Sequence, residues 1–305
     1  MLSAAWWVVL AAALVGGDLD EGRALERDAF GRLVAEVRLN GTGPYRFLID
    51  TGSSLSSVAP RLAAHLSLPP AGRVRATSVG TSGTLPLVRA RVVELAGRPV
   101  AVPWMVLLPE DPGHPLSQFD GVIAQDALSS IPSYLIDVAS ATLWANPSRR
   151  LLERYAFAPV DVVSRSGPLT VRAEDGARWT IDSGASHAVL FGRLAARQGT
   201  AVSIVSMTGV REARWSRPSS VSLGAVTVAW EGAVEAPVAG RPERGLLPLA
   251  LFDAIHVDNR AGTASVVPRA RRDRRHPDVA AHRRAFEDDG RVVRRPGGVA
   301  DVPVR

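Results

Sequence analysis

The feature that most constrains this chain is a pattern of two strands and an acidic turn, which occurs twice. In the first copy, apolar and polar residues alternate along residues 33–39, the period of a half-buried strand. A turn rich in Gly and Pro follows at residues 40–44. A second apolar run at residues 45–49 then leads directly into Asp50-Thr51-Gly52-Ser53-Ser54. The first copy therefore predicts a hairpin that ends in an acidic loop.

The same order returns later in the chain. Residues 169–173 alternate as a strand, residues 174–176 form a turn, and residues 179–181 lead into Asp182-Ser183-Gly184-Ala185-Ser186. Turns favour Asp, Thr and Gly on their own account, so one copy is a weak signal. Two copies in matching strand contexts indicate a duplicated structural unit.

Segments downstream of the two acidic turns also match. Asp120-Gly121-Val122-Ile123-Ala124 corresponds to Arg244-Gly245-Leu246-Leu247-Pro248, and residues 137–147 correspond to residues 258–268. The spacing between copies falls from 132 at the aspartates to 124 at the glycines and 121 at the last landmarks, as loop deletions would produce. The predicted organisation is a first half at residues 30–147, a linker at 148–157 and a second half at 158–268.

Composition excludes several classes of function. The chain has 305 residues, is 46% hydrophobic and has no cysteine, so it is globular and lacks disulfides, thiolate metal sites and cysteine nucleophiles. Its six histidines show no metal-ligand spacing. The net charge of +6 is concentrated in residues 269–305, interpreted as an Arg-rich disordered tail, so we expect no nucleic-acid partner.

The N-terminus carries an uncharged apolar segment at residues 2–15, followed by small residues. It is shorter than the ~20 residues of a membrane-spanning helix. We interpret residues 1–17 as a signal peptide or N-terminal hydrophobic segment, with a buried helix as the alternative. The expectation is an exported protein, periplasmic or extracellular, with no stable membrane span beyond a possible N-terminal anchor.

An apolar strand ending in Asp-Thr/Ser-Gly, followed by a Gly-apolar-apolar segment, resembles the pepsin and retropepsin superfamily of aspartic proteases. The segment at residues 120–128 is most similar to that of bacterial retropepsin-like proteins, although here both halves lie in one chain. The resemblance implies an all-β, two-lobed acid-protease fold with few short helices and a central cleft between the lobes. It also implies an aspartic endopeptidase that acts on a peptide or protein substrate as a monomer.

The same resemblance assigns the catalytic roles to Asp50 and Asp182. Two carboxyl groups held close together do not readily both ionise, so one keeps a proton while the pair holds a water molecule. This chemistry needs no cofactor and no metal. The resemblance gives supporting roles around the pair to five residues, which are Thr51, Gly52, Ser53, Ser183 and Gly184.

The two acidic loops differ in one supporting position. By resemblance, the Ser53 hydroxyl donates to Asp50, whereas Ala185 offers no hydroxyl to Asp182. We therefore expect Asp50 to be the better stabilised anion. The hydroxyls of Thr51 and Ser183 are expected to bond across the interface between the halves.

Two Gly-containing hairpins are candidate flaps over the cleft. The first spans residues 78–84 and supplies four candidate substrate-binding residues, Gly80, Thr81, Ser82 and Gly83. The second spans residues 206–210, with Trp215 nearby as a possible substrate contact. Both segments also fit ordinary hairpins without a flap role.

The chain departs from the family pattern at two positions. Ala124 and Pro248 stand where the family segment usually ends in glycine. Proline removes a backbone donor and fixes φ, so we expect distortion in the second half. The alternative function is therefore a catalytically inactive peptide- or protein-binding relative of the same fold.

The second acidic loop also fits a different enzyme class. Ser186 lies in a Gly-x-Ser-x-Ala sequence that resembles a nucleophile elbow, with Asp253 and His256 as partners. That site requires a helix after the serine and a parallel sheet, whereas this chain predicts short strands. The repeat explains the same segment without an elbow.

Overall fold

The computed structural model describes residues 21–164, 167–192, 200–238 and 240–269. The hydrophobic segment at residues 1–17 lies outside these residues, as does the Arg-rich tail apart from Arg269. Strands dominate the described residues, and the helices are short. The prediction of an all-β fold of the acid-protease type with few short helices is confirmed.

The strands, numbered in chain order, are β1 (Arg23–Ala24), β2 (Glu26–Arg27), β3 (Leu33–Leu39), β4 (Thr42–Ile49), β5 (Ser57–Val58), β6 (Pro70–Ser78), β7 (Thr81–Val88), β8 (Val93–Leu95), β9 (Arg98–Val100), β10 (Met105–Leu107), β11 (Gly121–Ile123), β12 (Ser133–Asp137), β13 (Thr142–Ala145), β14 (Ala158–Val162), β15 (Thr170–Arg172), β16 (Arg178–Asp182), β17 (Ala188–Gly192), β18 (Ala201–Ser206), β19 (Gly209–Ser216), β20 (Ser219–Leu223), β21 (Val226–Trp230), β22 (Ala233–Pro237), β23 (Glu243–Pro248), β24 (Phe252–Asp258) and β25 (Thr263–Pro268). The helices are α1 (Pro60–His65), α2 (Gln125–Leu128), α3 (Arg149–Leu152) and a 3₁₀ turn at Leu249–Leu251.

Two large sheets organise the chain. The first runs in the order β6-β7-β10-β5-β11-β4-β3-β8-β9, with β2 also paired to β3. The second runs in the order β1-β13-β12-β24-β25-β14-β15-β16-β23-β17-β22-β19-β18. Its first six strands join pieces from both halves of the sequence, so this part of the sheet ties the halves together.

The hairpin before the first acidic loop is longer than the sequence suggested. Asn40 and Gly41 both have positive φ, of 51° and 81°, which is the geometry of a two-residue hairpin turn with native twist. Leu39 pairs directly with Thr42, so β4 starts at Thr42 and includes residues 42–44, which the sequence predicts as part of the turn. The side chains of Phe47 and Ile49 are fully buried in the main core.

Among the strands that join the halves, two equivalent strands of the repeat pair with each other. In the antiparallel pair β12–β24, Ser133 lies opposite Asp258 and Asp137 lies opposite Ala254. Leu135 therefore lies opposite His256, which is its own counterpart at the spacing of 121. The predicted linker contains α3, whose Leu151 is buried beneath this sheet in a cluster with Leu135.

Candidate active site

Each acidic loop follows a strand that runs parallel to its Gly-apolar-apolar segment. In the first half, β4 pairs with β11, and the Asp50 amide donates to the Ile123 carbonyl at 2.8 Å. In the second half, β16 pairs with β23, and Asp182 lies opposite Pro248. Phe47 pairs with Gly121 as Trp179 pairs with Gly245, so the two loops leave equivalent strand positions.

Two buried hydroxyl groups link the acidic loops to each other. The Thr51 hydroxyl donates to the Ile181 carbonyl at 2.7 Å and accepts from the Ser183 amide at 3.1 Å. Reciprocally, the Ser183 hydroxyl donates to the Ile49 carbonyl at 2.7 Å and accepts from the Thr51 amide at 2.9 Å. Because both side chains are buried, these four bonds fix the loops together with little competition from water.

The loop glycines make room for the carboxyl groups of the opposite loop. A Cβ atom on Gly52 would lie 2.3 Å from Cγ of Asp182, and one on Gly184 would lie 2.8 Å from Cγ of Asp50. Both distances are closer than real Cβ contacts, so only glycine allows this approach. Each aspartate therefore packs against the backbone of the other loop.

The two carboxyl groups receive different donors. Asp50 accepts from the Gly52 amide at 2.9 Å and from the Ser53 hydroxyl at 2.6 Å. Asp182 accepts backbone bonds from Gly184, at 2.8 Å, and Ala185, at 3.0 Å, and its own loop supplies no hydroxyl donor. The predicted difference is thus present: the Ser53 hydroxyl donates to Asp50, whereas Ala185 has no hydroxyl to donate to Asp182.

The environment of Asp182 disfavours its charged form. Burial, the negative charge of Asp50 and a hydrogen bond with the Asp50 carboxyl all raise the pKa of Asp182 well above the usual 3.8. The Gly184 and Ala185 amides act in the opposite direction but do not outweigh these effects. Burial and the neighbouring carboxyl therefore favour the protonated form of Asp182.

A buried polar network, which the sequence analysis missed, supports the first loop. Ser56 donates its amide and its hydroxyl to Asp126, the hydroxyl bond being 2.6 Å long. The Ser56 hydroxyl accepts from the Ala124 amide at 3.0 Å, and burial raises the pKa of Asp126. The available signal was Asp126 itself, a carboxylate within the recognised segment at residues 120–128.

The second loop lacks this network but keeps its strand pairing. Pro248 has no amide hydrogen, and Ala188, at the position equivalent to Ser56, has no hydroxyl to receive one. The φ of Pro248 is −64°, which is the value that the proline ring imposes. The expectation of distortion at Pro248 is wrong for the β16–β23 pair, which continues to Pro248. Because Ala188 has no hydroxyl, the amide hydrogen that Pro248 lacks would have no acceptor there. The irregularity in β16–β23 lies instead between Arg178 and Trp179.

Both predicted flap segments form hairpin tips. The β6–β7 hairpin turns at Val79-Gly80, and the β18–β19 hairpin turns at Met207-Thr208. Of the predicted substrate-binding residues, Gly80 and Thr81 lie at the first tip. Ser82 and Gly83 lie further along β7, opposite Thr77 and Ala76.

The two tips contact each other. The hydroxyls of Thr81 and Thr208 are hydrogen-bonded, and the Thr208 hydroxyl also reaches the Thr81 carbonyl at 3.1 Å. Arg211 donates to the Gly80 carbonyl across the halves. His114 of the first half donates from Nε2 to the Ser206 carbonyl at 3.1 Å, while its Nδ1 accepts from a backbone amide.

The nucleophile-elbow alternative does not match the geometry. Ser186 is followed by the strand β17 rather than by a helix, and its hydroxyl bonds to Nδ1 of His187 at 2.9 Å. His256 lies on β24 against Phe157, and its buried Nε2 has no partner among the described residues. Trp215 lies on β19 with its ring edge-on to His187, 5.5 Å between centroids.

Residues 35–126 match the family model described as aspartyl protease. This match includes Asp50 and Asp126 but covers only the first half of the chain. No curated protein matches the sequence. Within the described ranges, no group of three or more His, Cys, Asp or Glu residues could hold a metal ion, and no helix has the length and apolarity to cross a membrane.

Proposed function

We propose that this protein is a single-chain, two-lobed aspartic endopeptidase whose catalytic pair is Asp50 and Asp182. The observation that carries the proposal is reciprocal packing, in which the glycine of each loop lies against the carboxyl group of the other loop. The family match supports aspartic protease chemistry for the first half. The equivalent strand register supports the extension to the second half.

The unequal environments suggest how the roles divide. Asp182, with its raised pKa, keeps the proton and polarises the scissile carbonyl oxygen. Asp50, stabilised by the Ser53 hydroxyl, takes a proton from the water that attacks the carbonyl carbon. Collapse of the tetrahedral intermediate then returns a proton to the leaving amine. The pair titrates as a unit, so activity follows its two apparent pKa values.

The proposed substrate is an extended peptide that binds between the halves beneath the two hairpins. Strand-like peptides bind through main-chain hydrogen bonds and place alternate side chains in pockets. Joining both halves in one chain removes the need for a second copy, which supports a monomer. The apolar segment at residues 2–15 supports action outside the cytoplasm, in a periplasmic or extracellular setting.

The test is a peptide-library digest by the full chain, read by mass spectrometry from acid to neutral pH. Matched Asp50→Asn and Asp182→Asn variants keep the size of each side chain but not its charge. We expect cleavage by the parent and at least a ~1000-fold loss of kcat in each variant, since both carboxyls act in one step.

Two outcomes would contradict the proposal. Equal cleavage by the parent and both variants would assign the activity to other residues. A folded parent that binds peptides but cleaves none at any pH would favour the catalytically inactive binding relative.

A further inference from the structure

Arg32 is a buried arginine that lies beside the second acidic loop. It donates from Nε to Asp28 at 2.7 Å, and the side chains of this ion pair are only 9% and 2% exposed. Among the described residues, no atom accepts a hydrogen bond from its buried Nη2. A buried donor without a partner costs stability, so its presence in a folded protein calls for an explanation.

The turn before β3 holds Arg32 in place without using that donor. Asp28 Oδ1 accepts from the amides of Phe30 and Arg32, at 2.9 and 2.8 Å, and Oδ2 accepts from the Arg32 Nε. The guanidinium carbon lies 5.5 Å from the centre of the Phe30 ring and 5.3 Å from the centre of the Phe119 ring. Contacts of this kind orient a planar cation. The guanidinium is therefore anchored through Nε and two aromatic rings, while Nη2 is left over.

Strand register sets Arg32 beside the first aspartate. Val34 pairs with Leu48 in the antiparallel β3–β4 hairpin, and both belong to a small cluster that includes Phe119. Two residues further along this register, Arg32 lies opposite Asp50, each one position beyond its strand. Because strand side chains alternate, both share the sheet face of Leu48. Arg32 therefore lies on the side of the sheet that carries the acidic loops.

Arg32 lines a small cavity between the first half and the second acidic loop. The walls come from the turn before β3, the second acidic loop and the 3₁₀ turn after β23, and the space holds about one water-sized group. Among the described residues that line it, Arg32 is the only charged one. Ser183, which also lines it, already donates its hydroxyl to the Ile49 carbonyl. The cavity thus suits a single oxygen atom that carries negative charge.

The equivalent place in the second half has no cation. Thr170 is the equivalent of Val34, because each pairs with the residue two positions before its aspartate. Pro168 therefore stands where the first half has Arg32. An anion would be recognised on one side of the aspartate pair and not on the other. Such a difference gives a bound peptide a direction.

We propose that Arg32 binds a carboxylate of the substrate, so that the protein selects peptides with an acidic group on one side of the scissile bond. This inference rests on the proposed function. A carboxylate oxygen in the cavity accepts from Nη2 in a charge-assisted hydrogen bond, which buried surroundings strengthen. The half-buried Phe30 ring lies against the guanidinium, and its movement opens the cavity to the ligand. The carboxylate belongs either to an acidic side chain or to the C-terminus of the peptide.

A double substitution removes the guanidinium without leaving a buried charge unpaired, which would endanger folding. In the Asp28→Asn/Arg32→Met variant, methionine keeps an unbranched stem against the two rings, and asparagine keeps Oδ1 for the two turn amides. The matched control is Glu26→Gln/Arg46→Met. It removes an ion pair that also joins neighbouring strands, but whose side chains are 54% and 46% exposed.

The first measurement is the digestion of matched peptides that carry Glu or Gln at each position in turn, with a free or amidated C-terminus. We expect Glu at a position on one side of the cleaved bond to raise kcat/KM about tenfold over Gln in the parent and the control, and not in the double variant. A preference for the free over the amidated C-terminus alone would assign the carboxylate to the peptide end. Cleavage with no carboxylate preference, or a preference that the double variant keeps, would overturn the inference and leave the proposed function intact.

A binding measurement distinguishes failure of this inference from failure of the proposed function. If none of the three proteins cleaves peptide, the anisotropy of the same peptides with a fluorescent label reports their affinities. Tighter binding of the carboxylate peptides by the parent and the control, but not by the double variant, would support carboxylate recognition and sink the catalytic proposal. Equal affinities for the Glu and Gln peptides and for the two C-termini, or no binding by any protein, would overturn both.

Discussion

The two acidic loops leave equivalent strand positions, but different side chains support them. In the first half, the Ser56 hydroxyl joins the Ala124 amide to the buried Asp126 carboxylate. In the second half, Ala188 and Pro248 replace the hydroxyl and the amide donor, and the strand pairing beneath Asp182 persists. The strand pairing beneath the aspartate is thus kept both with the polar network and without it, provided that donor and acceptor are lost together.

This contrast teaches how one fold can give two aspartates different roles. Asp50 accepts from a loop hydroxyl, while burial and the negative charge of Asp50 raise the pKa of Asp182. Environments that push two neighbouring carboxyls apart in pKa define an acid and a base. Divergence between the halves is therefore expected to matter most where it touches the two carboxyl groups.

The largest effect is expected from adding a methyl group to either loop glycine. Gly52→Ala places Cβ within overlap distance of Asp182, and Gly184→Ala does so for Asp50. We expect kcat to fall ~100-fold or more in both, with the larger loss for Gly52→Ala, because displaced carboxyls no longer share one water molecule. Gly192→Ala is the control, since its added Cβ meets no atom of the described residues within 4 Å. Normal kcat in either loop variant would show that the loops adapt.

The next effect concerns the network of the first half. Ser56→Ala removes two hydrogen bonds of its hydroxyl and leaves Asp126 buried with fewer donors, so we expect a loss of about 2–4 kcal/mol in the free energy of unfolding. The Ser56→Ala/Asp126→Ala double variant should lose less than the sum of the single variants, with a coupling of about 1–3 kcal/mol. Denaturant titration of all four proteins measures both quantities, and additive losses would contradict a shared network.

The repeat made the acidic loops predictable because Asp, Gly and alternating strands have local sequence signatures. The network was less visible, since Ser56 and Asp126 are separated along the chain and either residue alone fits a surface turn. The contact between the tips of the β6–β7 and β18–β19 hairpins was not predictable either. Val79 and Met207 look like ordinary hairpin residues until the opposite half is placed against them. Contacts between residues far apart in the chain leave no pattern in the local sequence. Sequence periodicity therefore predicted the strands but not which residues of the opposite half they contact.

A moderate effect is expected from neutralising the second aspartate. The folded-state pKa of Asp182 is raised above 3.8, so its contribution to stability is full below about pH 3.8 and is lost as the pH rises through the folded pKa. The Asp182→Asn variant does not ionise. It should therefore be more stable than the parent near neutral pH, by about 1.4 kcal/mol for each unit of the raised pKa.

Thermal unfolding of both proteins from pH 3 to pH 8 measures this difference. The gap in stability should be smallest at the acidic end and widen as the pH increases. A gap of the opposite sign at pH 7 would show that Asp182 is stabilised as an anion.

A smaller effect is expected when the second half is made to resemble the first. Pro248→Ala frees a buried amide with no hydroxyl beside it, and should lower the free energy of unfolding by about 1–2 kcal/mol. Adding Ala188→Ser supplies the acceptor and should recover most of that loss. Failure of the double variant to recover stability would mean that Pro248 acts through its ring rather than through its missing donor.

The smallest effect tests the two carboxyl environments directly. Ser53→Ala removes the hydroxyl donor to Asp50, so the acidic limb of the pH–rate profile should move up by about 1 pH unit or less. Ala185→Ser offers the equivalent donor to Asp182 and should lower the upper limb. If exchange of the two residues in a Ser53→Ala/Ala185→Ser variant leaves both limbs in place, the surroundings of the strands, rather than the loop hydroxyl, set the difference. A narrower profile in that variant would show that the loop hydroxyl itself assigns the acid and the base.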